Sequence, residues 1–125
     1  MKYSLDRHEK YVLIILEEKK LNSLISPKLK SEMILMNAEG IRNIILDLSQ
    51  VLYSDSSGLS SLLVGHRLCK NSAGSFIISG LSENVERLIN ISQLQDVLSI
   101  TQSVEEAIDL LFMEEIERDL NRSEE

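Results

Sequence analysis

Tryptophan is absent from the 125 residues, cysteine and proline occur once each, and glycine five times. Each scarcity removes a class of protein. The lone cysteine, Cys69, cannot close an internal disulfide, and neither a Cys-x-x-Cys pair nor a Cys/His cluster is present for zinc. A reducing, cytoplasmic setting is expected. So little proline and glycine excludes collagen-like and low-complexity chains, and 43% hydrophobic against 26% charged residues is the balance of a folded domain. The longest apolar run, residues 11–16, falls far short of the roughly 20 residues that span a bilayer, and residues 1–10 do not build a signal peptide. Membrane insertion is not expected. Basic side chains are also few: 13 Lys and Arg against 20 Asp and Glu leave a formal charge of −7. Such a chain repels a phosphate backbone, which speaks against direct nucleic-acid binding.

What is present is a succession of short periodic segments. Tyr3 and Leu5 fall on one side by alternation, and after a polar stretch at 7–10 comes the segment 11–17, apolar on both faces at Val12, Leu13, Ile14, Ile15 and Leu16. This predicts a β-hairpin whose second strand is buried within a sheet. Ser26 before Pro27 predicts a helix start, with the serine capping exposed amides and the proline sacrificing no hydrogen bond. Leu29, Met33 and Met36 recur at helical spacing, and Gly40 stands as the stop. Residues 44–48 predict a strand, whereas 49–57 carry neither period. From Gly58, the positions of Leu59, Leu62, Leu63 and Cys69 trace a helix that runs out at 71–74, with Cys69 as a small buried hydrophobe. A strand over 76–78, a helix capped by Ser82 and carrying Val85, Leu88 and Ile89, and a strand over 97–100 follow. Ser103 to Glu106 is a capping box for a last helix with the stripe Val104, Ala107, Ile108, Leu111 and Phe112.

That order implies an α/β domain over residues 1–113: a mixed, mostly parallel sheet of about five strands with about four helices packed on it. Residues 114–125, with six acidic and two basic side chains, read as an acidic tail, a solvated and frayed helix end rather than a partner-binding segment. No Gly-rich loop follows a strand, so the dinucleotide fingerprint and the P-loop are both missing and no cofactor is expected.

Candidate chemistry concentrates in Asp55-Ser56-Ser57-Gly58-Leu59, where the aperiodic stretch meets a helix. Free amides and partial positive charge at a helix start stabilise a hydroxyl, a carboxylate, or a phosphate if one is attached. On residue types alone the plain reading is an N-cap at Asp55 or Ser56. Catalysis has no support. His66 lies nine residues beyond Ser57, about 13 Å along a helix, and the nucleophile elbow Gly-x-Ser-x-Gly is absent. His8 sits in a polar turn, and the carboxylates are scattered rather than paired. The chain is read as a non-enzyme with no metal site.

Taken together, the residues resemble the STAS domain family, in particular its small free-standing anti-sigma-factor antagonists. The resemblance rests on Ile44-Ile-Leu-Asp-Leu48 followed by Asp55-Ser-Ser-Gly-Leu59, and on Phe76-Ile-Ile-Ser-Gly80. It continues in Val85-x-x-Leu88-Ile89, Leu94-x-x-x-Leu98-x-Ile100 and Ser103-x-Glu105-Glu106-Ala107, and covers about residues 3–112. It implies a partner-switching regulator that binds an anti-sigma factor which is also a serine kinase with a histidine-kinase-like ATP site. The implied phosphorylation site is Ser57, reversed by a metal-dependent Ser/Thr phosphatase. Asp55 and Ser56 match the neighbours of the family's acceptor, and Gly58 and Leu59 the helix start behind it. Asn22 completes the implied partner-binding set, in a loop where the family usually reads Gly, carboxylate, apolar, Asp. Here that loop is Lys19-Lys20-Leu21-Asn22, so an uncharged amide replaces the aspartate.

Two other readings stay open on the sequence. One is a STAS subunit of another assembly, a signalling scaffold or a lipid-transport accessory, in which Ser57 is an unmodified cap or contact residue. The other is a small-molecule or nucleotide-binding domain, although no polar pocket with a perturbed acid, base or nucleophile is indicated. Homodimerisation is likewise open, with Leu24 and Ile25 as apolar loop residues for an interface or for packing on the first helix.

Overall fold

Strands short enough to be easily missed decide where the site lies. In the computed structural model the backbone of residues 1–124 and the side chains of residues 1–122 are described. The elements in chain order are β1 (Tyr3–Arg7), β2 (Val12–Leu16), β3 (Lys20–Leu21), α1 (Ser26–Ala38), β4 (Ile44–Asp47), β5 (Tyr53–Ser54), α2 (Ser56–Asn71), β6 (Phe76–Ser79), α3 (Glu83–Ile91), β7 (Ser99–Thr101) and α4 (Val104–Glu124). The main sheet runs β1-β2-β4-β6-β7, with β1 antiparallel to β2 and all other neighbours parallel. This is the mixed five-stranded α/β architecture that the sequence implies.

Alternation sorts the side chains of the central strands onto two faces. Val12, Ile14 and Leu16, with Ile44, Leu46, Phe76 and Ile78, pack against Leu29, Met33 and Met36 of α1, Leu62 and Cys69 of α2, and Val85 and Ile89 of α3. Their neighbours Leu13, Ile45 and Ile77 point the other way, onto Ala107 and Leu111 of α4. Each fully buried aliphatic side chain of this kind contributes about 1.5–3 kcal/mol. The buried, two-sided character expected of Val12 to Leu16 is thus that of an interior strand.

Several local expectations are corrected. Ser26 is not the cap of α1: Ile25 occupies that position, no side chain caps the helix, and Ser26 is buried inside the first turn. The preceding turn supplies the reason, since the Asn22 carbonyl takes the Ile25 and Ser26 amides, and the Ile25 carbonyl takes those of Lys28 and Leu29. Residues 49–57 are not structureless either. Within them β5 pairs in parallel with β3, Lys20 opposite Tyr53 and Leu21 opposite Ser54, as a separate two-stranded sheet. The last strand lies at Ser99–Thr101 rather than 97–100, because the Val97 and Leu98 amides close a turn onto the Leu94 carbonyl. Gly40 does stop α1, at φ +97°.

The expected break at residue 113 is crossed by α4, which continues without interruption to Glu124. Glu115 explains how. It is buried, and its carboxylate accepts from Asn43 Nδ2 at 2.8 Å, Arg118 at 2.9 Å and Arg42 at 3.0 Å, while Arg118 also donates to Ser75 Oγ at 2.9 Å. Burial works to raise the Glu115 pKa, but hydrogen bonds from Asn43 and Arg118 and the charges of Arg42 and Arg118 outweigh it and hold the carboxyl below its usual range. A polar clasp therefore ties the helix to the beginnings of β4 and β6. Beyond it, Ile116, Glu117 and Asp119 through Arg122 are exposed, as a solvated helix end should be; residue 125 lies outside the described residues.

Candidate functional site

Where β5 hands over to α2, the chain builds a compact hydroxyl and carboxylate cluster. Asp55, extended at φ −106° and ψ −172°, caps α2, and its Oδ1 accepts from the Ser57 amide at 2.9 Å and the Gly58 amide at 3.2 Å. The cap reading of Asp55 is thus right, and the helix starts at Ser56, two residues before the expected Gly58. Ser57 Oγ donates to the same carboxylate oxygen at 2.5 Å. That bond is the chief reason the Asp55 carboxyl is held below its usual range; burial opposes it, and amides of Gly58, Ser57 and Ser23 assist it.

Two neighbouring segments complete the site. The Asp55 amide donates to the Leu21 carbonyl at 3.2 Å, so the β3–β5 pair fixes the 19–22 loop beside the α2 start. Gly58 makes that approach feasible: a Cβ there would lie 2.7 Å from the Leu21 carbonyl oxygen and would also strike the Ser54 hydroxyl. Asn22 shapes its own turn, accepting the Leu24 amide on Oδ1 at 3.1 Å. From α1, Ser26 Oγ comes within 3.1 Å of Ser57 Oγ. A depression of about 200 Å³ lined by Lys20, Leu21, Asn22, Tyr53, Ser54 and Asp55 adjoins this cluster.

The residues implied by the resemblance therefore come together in space but not with equal access. Asp55 and Ser56 are exposed, Asn22 and Ser57 are half-buried, and Gly58 and Leu59 are buried behind them. Leu24, 76% exposed, and Tyr53, 55% exposed, extend the accessible surface around them. Ser26 is the residue that sequence reasoning missed. Its only signal was a serine at a helix start, and nothing local tells that a second helix start lies against it.

Elsewhere the chemistry is quiet. Cys69 is buried, and burial pushes its thiol up to about 12, so it stays protonated. His66 has its pKa lowered by burial and by Lys70 and Arg67, and His8 pairs with Asp6 at 2.9 Å while stacking on Tyr11. Among the described residues there is no His/Cys/Asp/Glu group able to hold a metal ion, and no helix is long and apolar enough to cross a membrane.

Comparison with known proteins bears on the family and the fold. The anti-sigma-B factor antagonist of Staphylococcus epidermidis is 28% identical over 79 residues, 63% of this chain and 73% of the relative. In fold, an anti-sigma factor antagonist from Mycobacterium paratuberculosis superimposes with a TM-score of 0.78 at 16% identity, covering 88% of this chain and 92% of that one. The Bacillus cell fate determinant SpoIIAA in its phosphorylated form gives a TM-score of 0.68 at 23% identity, covering 86% and 97%. The match to the STAS domain spans residues 4–107, from β1 into the first turn of α4, and by that match the chain belongs to the STAS domain family.

Proposed function

We propose that this chain is an anti-sigma factor antagonist: a non-catalytic, partner-switching regulator that docks an anti-sigma factor with serine kinase activity on the surface around Ser57, and is released by phosphorylation of Ser57. A Ser/Thr phosphatase restores the binding form. The observation that carries this reading is the placement of Ser57, half-buried at the capped start of α2 with its hydroxyl oriented by Asp55, in a chain similar to named anti-sigma-B factor antagonists. Asp55, Ser56 and Asn22 surround the acceptor, and Gly58 and Leu59 hold the helix start in place beneath it.

The switch follows from charge and volume. A phosphate adds about −1.5 to −2 charges beside the ionised Asp55, on a chain already at −7. A face that docks flush then becomes bulky and repulsive, while the positive end of α2 offsets part of the cost within the domain. Affinity capture with wild type and S57D, followed by mass spectrometry, tests the proposal. Wild type should retain a kinase-type anti-sigma factor that S57D loses, with phosphate mapping to Ser57. Recovery of one and the same complex by both forms, with Ser57 never modified, would contradict it and favour a STAS subunit of another assembly.

A further inference from the structure

Ser57 Oγ stands between two partners, and one arrangement of protons satisfies both. The ionised Asp55 carboxylate can only accept, so the Ser57 proton lies on the 2.5 Å bond to Asp55 Oδ1. The 3.1 Å bond between Ser26 Oγ and Ser57 Oγ must then take its proton from Ser26. Ser26 is 1% exposed, and its amide is anchored on the Asn22 carbonyl at 2.8 Å, so no solvent competes for this hydroxyl. Of the two acceptor lone pairs on a serine oxygen, Ser26 occupies one and leaves one.

We propose that Ser26 is a positioning residue for phosphoryl transfer to Ser57: its buried hydroxyl donates to Ser57 Oγ, fixes the acceptor's rotamer, and leaves a single lone pair open to the incoming phosphorus. The proposal rests on the reading that Ser57 is phosphorylated. In the transfer, the Ser57 Oγ–P bond forms as the bond from the terminal phosphorus of a nucleoside triphosphate to its bridging oxygen breaks. The nucleoside diphosphate leaves with that electron pair, and the serine proton, already hydrogen-bonded to Asp55 Oδ1, passes to the Asp55 carboxylate. A pre-oriented nucleophile removes part of the orientational cost of this step. The same donation strengthens the bond from Ser57 to Asp55, because hydrogen bonds in a chain polarise one another.

Two readouts test it, each on wild type, S26A, S26T and S26C with the fold checked by circular dichroism. The first needs no kinase: the Asp55 carboxyl is titrated by NMR, with Lys20, which lines the adjoining cleft, present throughout. Loss of the Ser26 donor should move the Asp55 midpoint upward in S26A. S26T should restore it, and S26C, with a weak donor of similar size, should fall between. The second is the initial rate of Ser57 phosphorylation by the captured anti-sigma kinase with ATP. S26A should lower kcat about 3- to 10-fold, the worth of one hydrogen bond, with KM for the protein unchanged and S26T active. An unmoved Asp55 midpoint in folded S26A overturns the role of Ser26 whatever the kinase does. A moved midpoint in S26A, together with a wild type that no kinase phosphorylates, also overturns the proposal, and assigns the failure to the phosphorylation reading rather than to the hydrogen bond.

Discussion

Ser57 serves two purposes, and its substitutions separate them. In the folded protein it is the second residue of α2 and a donor to the cap; in the proposed complex it is the centre of a docking face. Aspartate at position 57 sits at the positive end of a helix, where a carboxylate is favourable, so S57D should abolish partner binding while its melting temperature stays within a few degrees of wild type. Extensive unfolding of S57D in circular dichroism would contradict this separation. Asp55 adds a pH dependence with a definite sign. Its folded pKa is depressed, so its stabilising effect is fully present above the unfolded value of 3.8 and fades as pH falls through the lower folded value. Asn is also an effective cap but does not titrate. The difference in melting temperature between wild type and D55N should therefore shrink steadily on acidification below about pH 4, and a constant difference across that range would show that Asp55 does not titrate as described.

At the scale of elements, the close contact between α2 and β3 makes Gly58 the most sensitive position near the site. G58A places a methyl 2.7 Å from the Leu21 carbonyl, a backbone group that cannot swing aside, and should cost about 1–3 kcal/mol, seen as a lower denaturation midpoint at unchanged slope. Removing the Glu115 carboxylate with E115A takes away the acceptor that Arg42, Arg118 and Asn43 share and should cost a similar ~1–3 kcal/mol. Hydrogen exchange should locate the loosening in the second half of α4. What could be read from sequence at this scale followed the strength of the periodic signal. The central strands, α1 and the α4 stripe at Val104, Ala107, Ile108 and Leu111 each repeat apolar residues several times and emerged where expected, whereas Phe112 is 41% exposed. The β3–β5 pair is two residues a side, too short to show any period, and the burial of Glu115 depends on Arg42 and Asn43 more than 70 residues away. Asp55 was legible as a cap because capping is a local matter between adjacent residues, whereas Ser57 was singled out only by the resemblance. The contact of Ser26 with Ser57 was not, since it exists only once two helix starts converge.

At the scale of the whole molecule, an acidic chain and a continuous core carry the proposed acceptor Ser57 at the surface. In the proposed complex the partner meets the mixed surface of Lys20, Leu24, Tyr53 and the α2 start, on a chain with a formal charge of −7. The core beneath that surface is continuous, because Leu21 and Leu59 at the site belong to the same cluster as the sheet, so modification at Ser57 can alter docking without loosening the domain. The most direct measurement of this claim is the Kd of the captured anti-sigma factor for wild type and for protein carrying phosphoserine encoded at position 57. The account predicts affinity at least about 100-fold weaker for the phosphorylated form, with unchanged melting behaviour; equal affinity for the two forms would contradict it.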